Sequence, residues 1–140
     1  MYGPIIFSAH MNPGTFTSGA YITGFAEFLT NVGDSFTLSD GIFKAPRNGI
    51  YEFSCSFFHR DDKDNILAVV KNGAQILKFN DFAGDLRPNF TLTFNWIMEL
   101  QRGDKVQLQV VLGDFYCSHN IDQGYGNCDC VFNGKLLKNR

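Results

Sequence analysis

Between Gly49 and Phe58 the chain alternates without a break: Tyr51, Phe53, Cys55 and Phe57 take every second position, and Glu52, Ser54 and Ser56 stand between them. A period of two predicts a β-strand with one buried face. Pro46 cannot donate to a ladder and Gly49 tolerates a positive φ, so Pro46 to Gly49 is read as a turn leading into this strand. Fully burying one Phe contributes only about 1.5 to 3 kcal/mol, and only against an apolar surface opposite. A second sheet facing the first is therefore required.

The remainder of the chain supplies its strands. Ile5 to Ala9 reads as a first strand closed by Met11-Asn12-Pro13-Gly14, and Thr15 to Thr23 as a loop with one short strand. Phe25, Glu27 and Leu29 alternate against Ala26, Phe28 and Thr30, ahead of a turn at Asn31-Val32-Gly33-Asp34. Asp40-Gly41 marks a tight reversal between Phe36–Leu38 and Ile42–Ala45, and Asn72-Gly73 a hairpin between Ile66–Val70 and Ala74–Phe79. Asn80 to Asn89 reads as a loop. Leu92, Phe94, Trp96, Met98 and Leu100 alternate with Thr93, Asn95, Ile97 and Glu99, which puts Trp96 in the core; Val106, Leu108 and Val110 alternate with Lys105, Gln107 and Gln109, and Cys128 to Leu137 is the last strand. Many short strands with no sustained helical period give an all-β sandwich of about ten strands in one domain over residues 1–140.

Composition narrows the function. Charged residues make up 19% and aromatic residues 15%, including 15 Phe, which favours a packed β architecture. The net charge is only -2 and the 12 Lys and Arg are scattered, which argues against nucleic acid. The longest aliphatic run, Ile66 to Val70, falls far short of the roughly 20 residues that span a bilayer, so no membrane insertion is expected. Met1-Tyr2-Gly3-Pro4 has neither the basic start nor the apolar core of a signal peptide. No Gly-x-Ser-x-Gly elbow, His-Glu-x-x-His helix or phosphate-binding Gly-rich loop is present, and His10, His59 and His119 fall in or beside loops, so no enzyme activity is expected.

Phe25, Asn31, Phe36, Phe43, Gly49, Tyr51 and Phe53 follow the spacing F-x5-N-x4-F-x6-F-x5-G-x-Y-x-F. This resembles the signature of the complement C1q globular domain, with Cys55 at the position that usually carries a further aromatic. The resemblance extends to Ile6-Phe7-Ser8-Ala9, Val70-Lys71-Asn72-Gly73, Leu100 to Leu108 and Phe132 to Leu137. It implies a C1q/TNF-like jelly roll, a secreted and extracellular location with any leader or stalk outside this chain, and a homotrimer. It also implies that Arg102-Gly103-Asp104 belongs to a structural turn and not to an adhesive motif.

In a secreted chain, Cys117 and Cys128 are the first pair expected as a disulfide because they bracket one loop, worth about 3 kcal/mol by the chain-entropy model. Cys55 and Cys130 share the core face and are read as cross-strand neighbours or as plain buried thiols. A rival reading makes Cys117, His119, Cys128 and Cys130 a zinc site, although one residue between paired ligands is tighter than structural zinc prefers.

Hairpin parity directs the connections 59–65, 80–89 and 113–127 to one end of the sandwich. They carry the candidate ligand-binding residues Arg60, Asp61, Asp62, Arg87, Tyr116, His119, Asn120 and Tyr125. Sugars are bound by stacking their C–H face on an aromatic ring while carboxylate, amide and guanidinium groups bridge hydroxyls. This inventory suits a carbohydrate-binding lectin of innate immunity, of the kind found among invertebrate C1q-domain proteins, with sialic acid, galactose or a microbial polysaccharide as ligand. The alternative is a protein-binding or matrix-organising head of cerebellin or adipokine type. Asp61, Asp62 and Asp64 offer oxygens for calcium, completed by other loops. Asn89-Phe90-Thr91 is an N-glycosylation sequon beside the same end. Phe58, Ile97, Val131 and Leu137 point away from the core, as residues of a subunit interface would.

Overall fold

The computed structural model describes residues 3–59, 64–81, 90–117 and 130–140, with the backbone alone at 58, 59, 81, 90 and 116. Among these residues there is no helix, and twelve strands form two antiparallel sheets. In chain order they are β1 (Ile6–Met11), β2 (Gly14–Phe16), β3 (Phe25–Val32), β4 (Phe36–Thr37), β5 (Ile42–Lys44), β6 (Gly49–His59), β7 (Asn65–Lys71), β8 (Ala74–Asp81), β9 (Phe90–Leu100), β10 (Lys105–Leu112), β11 (Phe115–Cys117) and β12 (Val131–Asn139). The count exceeds the expected ten because β2, β4, β5 and β11 are pieces of two or three residues. The jelly-roll sandwich anticipated from the sequence is the observed fold.

In the larger sheet β6 is central. It pairs with β9 along one edge, and with β12 and then β11 along the other; β12 leads on to β1 and β3. The smaller sheet runs β4-β5-β10-β7-β8. Tyr51, Phe53, Cys55 and Phe57 all face inward, as their alternation requires. Facing them are Phe43, Leu67, Val69, Val106, Leu108 and Val110 of the smaller sheet. The core is a layer of rings: Phe7 stacks on Phe36 at 4.5 Å between centroids and meets Phe132 edge-on at 5.2 Å, and Phe53 meets Phe43 edge-on at 5.1 Å.

Two features depart from simple alternation. The pairing of β1 with β3 shifts between Ser8 and Ala9 and again between His10 and Met11, so Leu29 and Ala26 are extra residues and Phe25 and Phe28 both turn inward. Secondly, β7 is buried on both faces: Ala68 and Val70 lie opposite the core yet are buried, and their cross-strand partners Gln109 and Gln75 are joined by a hydrogen bond from Gln75 Nε2 to Gln109 Oε1. At Lys71-Asn72-Gly73-Ala74 the expected hairpin is present, with Asn72 at φ 50° and Gly73 at φ 85°, the primed turn that matches the twist of its strands.

Gly134 is fixed by the ring layer. It sits in β12 between Phe7 on β1 and Phe53 on β6, and a Cβ there would collide with both rings. Gly134→Ala is expected to lower stability by about 1 to 3 kcal/mol through overpacking, read as a fall in the urea midpoint at unchanged m-value.

Candidate functional site

The register confirms the parity argument at the strand ends. His59 is opposite Phe90, Asn65 opposite Asp81, and Ile66 opposite Leu112. The strand ends that flank connections 59–65 and 80–89, and the end of β10 that opens the third, therefore lie at one end of the sandwich; the third is not a plain loop, since β11 occupies Phe115–Cys117. Asn65, 2% exposed, ties two of them: its Oδ1 accepts from the Asp114 N–H at 3.0 Å, linking the start of β7 to the turn after β10. That turn needs Gly113, which has φ 78° and whose Cβ would collide with Asn65 and the Asp64 carbonyl.

Beyond the turn, β11 extends the larger sheet. It pairs with β2 residue by residue and places Tyr116 opposite Phe58 at the end of β6. Phe115 anchors it in the core, edge-on to Phe57 at 5.1 Å. Of the candidate binding residues, Tyr116 is held by β11, and Asp64 of the calcium reading is exposed on the approach to β7. Arg60, Asp61, Asp62, Arg87, His119, Asn120 and Tyr125 lie outside the described residues, as do Asn89 and Cys128. Among the described residues no group of three His, Cys, Asp or Glu side chains is placed to hold a metal ion.

The cysteine chemistry is decided in part. Cys117 is disulfide-bonded, and Cys55 and Cys130 are buried thiols outside any disulfide. A disulfide sulfur is no thiolate ligand, so the zinc set of Cys117, His119, Cys128 and Cys130 does not stand. Burial pushes the Cys55 thiol well above its ordinary range, and the neighbouring Cys130 pushes it further, so Cys55 stays protonated and is not a nucleophile.

The opposite end is closed by its own hydrogen bonds. Asp104 Oδ1 accepts from Asn72 Nδ2 at 3.0 Å and Oδ2 from the Gln101 N–H at 2.8 Å, with Lys71 Nζ at 3.8 Å. Asn48 Oδ1 accepts from the Arg102 N–H at 2.7 Å, and Arg47 Nε donates to Asn139 Oδ1 at the same distance. Arg102-Gly103-Asp104 is thus a turn whose carboxylate is already engaged, which leaves it no free acid for an adhesive role.

The outward face of the larger sheet carries a shallow depression of about 660 Å³, floored by Phe7, Phe53 and Gly134. Across it runs a row of small polar side chains, Thr30, Ser8, Asn133, Ser54 and Asn95, on β3, β1, β12, β6 and β9. Ser8 Oγ donates to Asn133 Oδ1 and Asn133 Nδ2 to Ser54 Oγ. No sequence periodicity reveals this row, because the register that aligns five strands is set by contacts far apart in the chain. Ile97, 61% exposed, and Leu137 stand on the same face; Val131 is half-buried, and the Phe58 side chain lies outside the described set.

A family model for the C1q domain matches residues 6–137. The fold is similar to the globular domain of zebrafish complement 1qA protein, at 19% identity and TM-score 0.69, covering 97% of this chain and 99% of that one. It is also similar to Eiger TNF from S. frugiperda, at 11% identity and TM-score 0.74 over 99% and 96% of the two chains. Murine APRIL matches at 10% identity and TM-score 0.67 over 96% and 100%.

The Asn72 hydrogen bond, and after it that of Gln101, hold Asp104 below the usual carboxylate range. A folded-state pKa below the unfolded value contributes stability above about pH 4 that is lost as pH falls through the lowered value. Asp104→Asn is therefore expected to lower the melting temperature at neutral pH and to flatten its acid limb, measured by thermal unfolding between neutral pH and pH values below 4.

Proposed function

The chain belongs to the C1q domain family, and from that premise we propose that it is a secreted carbohydrate-binding head of innate immunity, a lectin that works as a homotrimer. Membership of this family supports a non-enzymatic recognition or binding head. Among the described residues no helix is long and apolar enough to cross a membrane.

One observation carries the lectin reading: the two ends of the sandwich are unlike. At the Asn48–Asn72–Asp104 end, named side chains saturate one another within short turns. At the other, the strand ends deliver three long connections bearing Arg60, Asp61, Asp62, Arg87, His119, Asn120 and Tyr125, beside Tyr116 on β11. These side chains combine rings for stacking on sugar C–H faces with charged and amide groups for hydroxyls. Since neither Cys55 nor Cys130 is disulfide-bonded, we assign Cys128 as the partner of Cys117, a bridge that closes the last connection. Calcium is taken as a secondary ligand at Asp61, Asp62 and Asp64.

Exposed Ile97, Leu137, Ile6 and Val32 on the larger sheet support self-association. Three sites of about millimolar strength, roughly -4 kcal/mol each, gain up to about 10²- to 10⁴-fold on a repetitive glycan surface. Light scattering in dilute neutral buffer is expected to give the trimer mass; monomer mass removes the avidity argument.

A glycan array probed with the assembled protein tests the reading itself. Sugar-inhibitable binding is expected, with a loss of about two- to tenfold per site in Tyr116→Ala or Tyr125→Ala, the scale of one stacked aromatic contact. Correctly assembled protein with no glycan signal would turn the assignment to a protein-binding head. Chelator treatment that leaves binding and melting temperature unchanged would remove calcium.

A further inference from the structure

We propose that Asn72-Gly73 is a latent deamidation site whose reactivity is gated by Asp104. The sequence contains three Asn-Gly pairs, Asn48-Gly49, Asn72-Gly73 and Asn133-Gly134. Asn-Gly is chemically labile because the unhindered glycine nitrogen can attack the preceding side-chain amide. In that reaction the Gly73 nitrogen forms a bond to Asn72 Cγ, the Cγ–Nδ2 bond breaks, and ammonia leaves with the proton from the glycine nitrogen. Water then opens the cyclic imide to aspartate or isoaspartate, with no oxidant or reductant involved.

The three sites differ in what holds the glycine. Gly49 lies between Leu100 and Asn139, and Gly134 between Phe7 and Phe53, each with a strand on both sides. Their backbones are extended and walled in. Gly73 lies at an exposed hairpin tip with no strand beside it, and a Cβ placed on it would meet nothing within 4 Å. What restrains this site is the amide. Asn72 Nδ2 donates to Asp104 Oδ1 at 3.0 Å, Asn72 Oδ1 accepts from the Lys105 N–H at 2.8 Å, and the Asn72 N–H donates to the Lys105 carbonyl at 2.9 Å. With both ends of its amide engaged and its backbone tied to Lys105, the side chain cannot swing its Cγ onto the Gly73 nitrogen until the Asp104 clamp opens. Asp104 is a positioning residue for this chemistry and takes no part in bond making.

Conversion changes the turn. An aspartate at position 72 presents a carboxylate to Asp104 where an N–H was donated, so a hydrogen bond becomes a like-charge contact. Isoaspartate adds a backbone methylene to a two-residue turn and disturbs the pairing of β7 with β8. Both products loosen the end of the sandwich away from the three long connections.

The test is peptide mapping during incubation in mildly alkaline buffer, with folding checked by far-UV dichroism. In urea, all three asparagines convert at comparable rates. In the native chain Asn72 converts more slowly than in urea, yet ahead of Asn48 and Asn133. Folded Asp104→Ala accelerates conversion at Asn72 by about tenfold, the worth of one hydrogen bond to a charged group, and leaves the other two sites unchanged. Asp104→Asn, which keeps a carbonyl acceptor, gives a smaller acceleration. Native conversion of Asn48 or Asn133 ahead of Asn72 overturns the proposal, as does an unchanged rate at Asn72 in both folded variants. Should Asp104→Ala fail to fold, the native order of the three sites and the Asp104→Asn rate decide it.

Discussion

The contact of phenylalanine rings across the gap between the sheets sets most of what else the chain can do. Phe7, Phe25, Phe36, Phe43, Phe53 and Phe132 come from six different strands and meet in one layer, stacked in some pairs and edge-on in others. Each such pair adds about 0.5 to 1.5 kcal/mol beyond its area. Rings of this size fill a gap of about 10 Å only if strands leave space where two rings converge. Gly134 is that space for Phe7 and Phe53, and the signature residues Phe25, Phe36, Phe43 and Phe53 all belong to the layer it relieves. The spacing of the family motif is thus a statement about one packed layer.

That layer made the architecture legible. Uninterrupted alternation on β6 and β9 places Tyr51, Phe53, Cys55, Phe57, Trp96 and Leu100 inward as read from the sequence, since nothing shifts the register of those two strands over eleven pairs. Alternation failed on β3, because bulges at Ala26 and Leu29 depend on pairing with β1 and leave no mark in the local sequence. It was also mute about Ala68 and Val70, which are buried on the face opposite the core, where glutamines of β8 and β10 hydrogen-bond to each other. The extension of the larger sheet through β11 and β2 joins Phe115 to Phe16, well over half the chain apart, and no local pattern announces it.

The candidate site was legible in position more than in content. Parity needs only the order of strands, and the observed register puts the ends of β6, β7, β8, β9 and β10 where parity expects them. Asn65 and Gly113, which brace that end, escaped notice because an Asn after a charged run and a Gly after a strand look like ordinary loop residues. Their roles rest on one another: the amide fills the space that a Cβ at position 113 would need. The zinc reading failed for a similar reason. Spacing alone cannot tell a thiolate ligand from a disulfide sulfur, and only the state of Cys117 separates them.

The buried polar groups left without partners show where packing outranks hydrogen bonding. Among the described residues these are Trp96 Nε1 and Ser35 Oγ. An orphaned donor costs about 1 to 3 kcal/mol, so Trp96 must be held by something of similar size. It stacks on Phe53 at 5.6 Å, lies 5.7 Å from Phe79 and 6.3 Å from Phe132, and thereby joins the ring layer to the flank where β8 faces β9. Phe79 stacks in turn on Phe94 at 4.7 Å, which carries the aromatic contact from one sheet's edge strand to the other's. A smaller side chain at position 96 would remove the orphan and open the seam between the sheets. The indole's area therefore outweighs its unmet N–H, and the same aromatic layer that orders the middle of the sandwich also shuts its side.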